Sequence, residues 1–343
     1  MKRALAALMV ATVAASISPR HAARAAEAGA VAKSIADLEQ GGMERSRAAA
    51  KELARAGDPA VDPLVQLMGR GTPLDRRWAC VALGAMDRSV VRAVPPLAVA
   101  SSDPDGEVRL AAVEGLGSWT SSEAAAREAL ARRLDDADRA IRLRAAVELS
   151  ATPPAAGAVD SAAAVTNVLI EALESPVLAM RLSALEGLGR AGAQAGDRGL
   201  VALRKALGDP YAAVRSAAPQ ALLHVASGSG DVAADLCAHL ADPDAWVATS
   251  AMRALAEVSA PVAPCVGPLL HDAQGEVRRR AAWLLSARGA REPEALAALA
   301  AVASSTAVPE TAAVDPVVQR YAASASWMQS SSAAARAPSR NEP

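Results

Sequence analysis

The sequence predicts an all-α fold, an α-α superhelix of about eight helical hairpins, and three observations lead there. A short phrase of residues returns about every 33 positions: Asp-Pro, then Val-Arg, then Ala, then Leu-Gly, clearest in Asp103-Pro104, Val108-Arg109, Ala112 and Leu116-Gly117. Aromatic residues are only 2% of the chain and phenylalanine is absent. No segment alternates valine, isoleucine and threonine as strands do. A chain of 343 residues built this way is one continuous array, because each repeat contacts only its neighbours.

At the N-terminus, Lys2 and Arg3 precede an apolar run from Ala4 to Ile17 that ends near Pro19. This is the order of a secretory signal, with a small-x-small site at Ala23-Arg24-Ala25 and cleavage expected before Ala26. An uncleaved anchor and a cytosolic helix are the alternatives. The run is too short to span a bilayer comfortably, so no membrane span is expected after cleavage. Removal of residues 1–25 takes away Lys2, Arg3, Arg20 and Arg24 and no acid, leaving 32 basic and 37 acidic residues. A mildly acidic chain binds nucleic acid poorly unless its charges are segregated.

Residues 26–43 are expected to form a cap helix and residues 44–303 the array. Residues 304–329 are a degenerate terminal repeat, and residues 330–343, rich in serine, arginine and proline, a disordered tail. Aligned on arginine, the units begin at Arg76, Arg109, Arg142, Arg181, Arg215, Ala248 in place of arginine, and Arg278. Apolar residues at helical spacing follow each, for example Val108, Ala112, Val113 and Leu116, so the first helix of every unit is amphipathic. A turn and a second helix ending in leucine complete the hairpin, as in Asp197 to Leu207 and Asp231 to Leu240. One hairpin cannot bury its apolar stripe alone, and stacking supplies the core.

Pro219 falls inside a first helix, where it must remove a backbone hydrogen bond and bend the chain. A Pro, Ala and Gly-rich insert from Ser150 to Ser161 lengthens one hairpin and reads either as a binding loop or as tolerated growth. Gly115-Leu116-Gly117 and Gly187-Leu188-Gly189 end helices and follow no strand, so they read as turn glycines and not as phosphate loops. Trp78, Trp119, Trp246 and Trp283 fall in or at the end of first helices and read as packing residues.

The phrase resembles HEAT-repeat proteins, in particular the short HEAT-like repeats of the phycobilisome-lyase class, over roughly residues 44–303. In that family an aspartate at the inter-repeat turn and an arginine six residues later form a ladder. The resemblance therefore implies structural roles for Asp103 with Arg109, Asp136 with Arg142, Asp209 with Arg215 and Asp272 with Arg278. The aspartate would cap the following helix while a charge-assisted bond to arginine ties unit to unit. Asp242 with Ala248 and Ser175 with Arg181 depart from the pattern.

Catalytic chemistry finds no foothold. His21 belongs to the leader, and His224, His239 and His271 are spread over separate hairpins without a His-x-x-x-His or His-Glu pair, so no metal site or cofactor is expected. The iron-dependent hydroxylase of this family holds its metal with His-Glu motifs, which are absent. No Gly-x-Ser-x-Gly elbow occurs either. Cys80, Cys237 and Cys265 make no metal motif. Aligned on Leu240 and Leu270, Cys237 and Cys265 stand three and five positions before the leucine, about 200° apart around a helix. They could face each other across adjacent helices as a disulfide or remain separate thiols.

The position two before each second-helix leucine should point away from the core. It reads Arg132, Glu171, Lys205, Ala238 and Pro268, a column that changes sign and then turns neutral, with no cationic track for phosphates. The expected function is an exported, non-catalytic scaffold or adaptor that binds another envelope or secreted protein and no nucleic acid. Arg132, Glu171, Lys205 and His239, with the 150–161 insert, are the expected contact residues. A lyase-like accessory enzyme or cofactor chaperone related to HEAT-like bilin lyases is the alternative.

Overall fold

The computed structural model describes residues 19–152, 159–226, 232–289, 292–304 and 315–336. The apolar segment Ala4–Ile17, half of the 150–161 insert and the last residues of the tail lie outside them. The chain divides into two compact units, Met1–Val168 and Leu169–Pro343. Among the described residues there is no strand.

In the first unit, α1 (Pro19–Gln40), α2 (Met43–Ala56) and α3 (Asp58–Arg70) open the chain. They are followed by α4 (Pro73–Gly84), α5 (Val94–Ala100), α6 (Gly106–Gly117), α7 (Ala124–Ala131) and α8 (Arg139–Ser150). Pro19 heads α1 instead of breaking a helix, and Val31, Ile35 and Leu38 bury one stripe of α1 against α2 and α3. The first helices α4, α6 and α8 lie side by side.

Their closest approach is backbone to backbone. A Cβ on Gly84 would collide with the Cα of Gly115. Gly115 is therefore a contact glycine within α6 and not the turn glycine its sequence position suggests, and Gly187 and Gly189 likewise lie within a helix.

The division between the units falls within α9 (Val159–Leu173). The second unit continues with α10 (Leu178–Ala191), α11 (Gly196–Leu207), α12 (Ala212–Val225), α13 (Val232–Cys237) and α14 (Ala245–Glu257). It ends with α15 (Ala263–Val266), α16 (Gly275–Arg288), α17 (Pro293–Ser304) and α18 (Pro316–Arg336). Pro219 is buried inside α12. The helix α18 packs on α16 and α17 through Val318, Ala322 and Ala325 and runs to Arg336, past Ser330, where the composition suggested a disordered tail.

Cys237 and Cys265 form a disulfide between α13 and α15, with Cα atoms 6.1 Å apart. Cys80 is buried and free, and burial pushes its thiol up to about 12. The turn before α15 is held by a buried ion pair. The Arg288 guanidinium donates to the carbonyls of Val258 and Ala260 and to Glu292, whose carboxylate accepts the N–H groups of Val262 and Ala263 at 3.0 and 2.7 Å.

The ladder runs in a different direction from the one the family resemblance suggests. The Asp103 carboxylate takes Nε and Nη2 of Arg76, both at 2.8 Å, and not Arg109. Arg109 reaches the backbone carbonyl of Asp103 with Nη1 at 2.9 Å and gives its other edge to Asp136 at 3.1 and 3.3 Å. Arg142 in turn reaches the Asp136 carbonyl at 2.8 Å.

The second unit repeats this. Arg181 pairs with Asp209 at 2.6 Å and Arg215 with Asp242 at 2.9 and 3.1 Å. The Asp209 and Asp272 carbonyls accept from Arg215 and Arg278. One guanidinium carries enough donors for both tasks, so Arg76, Arg109, Arg181 and Arg215 each clasp a carbonyl of their own turn and the carboxylate of the next hairpin. Ser175 keeps half of the pattern: its carbonyl accepts from Arg181 at 2.6 Å, but its side chain offers no carboxylate to the preceding hairpin. Asp242 is fully engaged by Arg215, and the rung that Ala248 removes is the following one, at Asp272.

Capping falls two residues after the ladder aspartate: Asp105, Asp138 and Asp244 are the N-caps of α6, α8 and α14, while Asp103, Asp136 and Asp242 accept the N–H of those caps.

Two predictions follow from this packing. Gly84→Ala should cost about 1–3 kcal/mol by overpacking α4 against α6. Gly69→Ala, where nothing lies within 4 Å, should stabilise α3 by up to about 1 kcal/mol. Equal urea midpoints for the two variants would refute close helix contact at Gly84.

The second prediction concerns acid. The Arg76 hydrogen bond holds the Asp103 carboxyl below its ordinary range; at Asp242 burial pushes upward but is outweighed by Arg215 and the Asp244 N–H. A depressed carboxyl stabilises the fold above its unfolded pKa of about 4, and that stability is lost as pH falls through the folded value. Asp103→Asn with Asp242→Asn should therefore lower the thermal midpoint at pH 7 and flatten its decline below pH ~4. An unchanged acid limb in calorimetry would remove the rungs as the cause.

Candidate functional site

The sequence-predicted contact residues are all on second-helix ends. Arg132 is exposed in the first unit, in a turn of 3-10 helix that follows α7. In the second unit Glu171 is exposed on α9 and Lys205 on α11, where the Lys205 ammonium pairs with Glu174 of the preceding hairpin at 2.8 Å. His239 is half-buried after α13, and loss of solvent lowers its pKa, which keeps the ring neutral near neutral pH. Ala238 and Pro268, the neutral continuation of that column, are also exposed.

The structure adds a surface that the sequence reading assigned to the core. Trp78 and Trp119 are buried, but Trp246 is 78% exposed in the first turn of α14 and Trp283 is partly exposed on α16. Tyr211, at the N-cap position of α12, and Val177, at that of α10, are also exposed. Val177 and Tyr211 directly follow the exposed turn prolines Pro176 and Pro210, and Trp246 stands three residues after the exposed Pro243. The second unit thus carries an apolar edge along the turns that enter three consecutive first helices.

In the first unit the N-cap positions are Thr72, Asp105 and Asp138, whose side chains each accept helix N–H groups. At Val177 and Tyr211 no side-chain cap exists. Losing such a cap costs about 1 kcal/mol, and an exposed ring returns little by burial. The tyrosine ring is fixed instead by the Arg181 guanidinium, 5.4 Å from its centroid, while that same arginine holds Asp209. The signal for this edge was present in the sequence as the change from Asp-Pro-Asp to Asp-Pro-Tyr and Ser-Pro-Val, which an alignment on arginine alone passes over.

The arrangement suits protein contact better than chemistry. Rigid rings on pinned turns bury apolar area at low entropic cost. Among the described residues, no three His, Cys, Asp or Glu side chains gather to hold a metal, and no helix is long and apolar enough to cross a membrane.

Comparison with known proteins agrees with this architecture. The family of HEAT repeats matches residues 166–256 and 233–315. A crystallised engineered protein is 22% identical over 86% of this chain and 87% of its own, with a TM-score of 0.50. A crystal structure of importin beta is 15% identical with a TM-score of 0.52; the alignment covers 87% of this chain and 46% of importin beta. At these identities the likeness is one of fold. No curated protein matches the sequence. The chain is a helical repeat solenoid that contains HEAT repeats over residues 166–315.

Proposed function

We propose that this protein is an exported, non-catalytic adaptor that captures another envelope or secreted protein on the apolar turn edge of its second unit. The observation that carries the reading is Trp246, a large ring 78% exposed on a helix start whose neighbours are pinned by the ladder. Val177 and Tyr211 extend the edge at the expense of two helix caps, a loss in stability that a binding surface explains. Export is supported by the signal-like order of Lys2, Arg3 and the Ala4–Ile17 run, and by the Cys237–Cys265 disulfide, which suits an oxidising compartment.

Crosslinked affinity capture of the tagged chain from its native cell envelope and medium tests the reading. One dominant protein is expected, reduced at least tenfold by Tyr211→Ser with Trp246→Ser, each exposed and separate from the core. Capture that survives this pair but is lost on joint charge reversal of Arg132, Glu171 and Lys205 would move the site to the second-helix ends. No enriched protein would overturn the adaptor reading. Fractionation supplies the second arm, in which the tag should leave the cytosol and the chain should lose residues 1–25.

A further inference from the structure

The ladder contains a carboxylate whose arginine is missing. Asp103, Asp136, Asp209 and Asp242 each hold the guanidinium of the preceding first helix, at distances from 2.6 to 3.3 Å. At each of Asp103, Asp136 and Asp209 the backbone carbonyl is meanwhile taken by the arginine six residues on. Asp272 repeats half of this arrangement. Arg278 donates to its carbonyl at 2.8 Å, and the N–H of Gln274 donates to its carboxylate at 2.8 Å. The residue that should supply the guanidinium is Ala248, which is fully buried.

Among the described residues no cation pairs with the Asp272 carboxylate. Arg280, the neighbouring candidate on α16, points instead to the Leu240 carbonyl at 3.1 Å, and Arg279 is engaged by Glu276 and Asp315. Asp272 is partly buried, as Asp103, Asp209 and Asp242 are beneath their arginines. A carboxylate held in a preformed turn without a guanidinium partner is complementary to a planar donor.

We infer that Asp272 is the docking point for an arginine side chain of the partner, which completes in trans the rung that Ala248 leaves out. The ligand class is a guanidinium on an exposed segment of a protein. Three of the four intact rungs, at Asp103, Asp136 and Asp242, give the template: two parallel N–H donors on one carboxylate, with the Arg278 guanidinium already occupied on the backbone side of Asp272. A lysine would meet the charge but not the paired geometry. The inference rests on the adaptor reading and specifies its chemistry.

The test uses the full chain and a blocked tripeptide, acetyl-Gly-Arg-Gly-amide, with the isosteric but uncharged citrulline peptide as control. The Gln274 amide, hydrogen-bonded to the Asp272 carboxylate, reports binding by NMR. The arginine peptide should shift it saturably, and both the citrulline peptide and the Asp272→Asn variant should bind at least tenfold more weakly. Ala248→Arg should complete the rung in cis, raising the thermal midpoint and abolishing the peptide response. Equal response to arginine and citrulline, or an undiminished response in Asp272→Asn, overturns the inference. In partner capture, Asp272→Asn should lower the yield. Full capture by Asp272→Asn with loss in the Tyr211→Ser and Trp246→Ser variant would refute the arginine contact while leaving the adaptor standing.

Discussion

The structure depends on one side chain doing two things. A ladder arginine closes its own inter-repeat turn through a backbone carbonyl and, with the opposite edge of the same guanidinium, binds the carboxylate that begins the next turn. Turn shape and hairpin spacing are therefore set by one rigid fork, and an error in either would be felt in both. This explains why the repeat phrase contains both Asp-Pro and Val-Arg at fixed separation. The aspartate orients the turn by accepting the N–H two residues on, and the next polar residue caps the helix. With the turns fixed, α4 and α6 can approach until only glycine fits between them.

The fold was legible because its signal is repeated. Arginine, aspartate and leucine recur often enough that the α-helical array follows from the sequence alone, and the two departures from the phrase, Ser175 and Ala248, were visible as well. What a periodic sequence does not contain is direction. An aspartate lies both six residues before an arginine and 27 after it, and both separations persist along the array. Only the geometry separates a carbonyl contact from a carboxylate contact. The consequences shift for each departure: Ser175 retains the carbonyl that Arg181 requires and lacks only the carboxylate for the preceding hairpin, while Ala248 removes a rung one junction later than its own aspartate.

The apolar edge was hidden for a related reason. Trp119 and Trp246 are the same residue on equivalent helices, yet Trp119 closes the last turn after α6 and is buried, while Trp246 lies in the first turn of α14 and is exposed. Helical period identifies a face only where both flanks of the helix are covered, and the first turn at a repeat junction has solvent on one of them. The capping position carried the better clue. Tyrosine or valine where aspartate belongs sacrifices a hydrogen bond, and such local inconsistency marks places where function competes with folding.

The second unit loses ladder and cap contacts but gains others nearby. Its second helices α13 and α15 are short, Val232–Cys237 and Ala263–Val266, so they bring few internal hydrogen bonds. At this same place the disulfide joins α13 to α15, and Arg288 with Glu292 fixes the turn that leads into α15. A closed loop spanning 28 residues stabilises by about 3.6 kcal/mol in the chain-entropy account, somewhat more than one hydrogen bond to a charged group and more than one cap. The covalent link thus offsets what Ala248, Tyr211 and Val177 give up, and it does so only where thiols stay oxidised. The unit that forgoes a rung and two caps is thus also the unit that carries the covalent link.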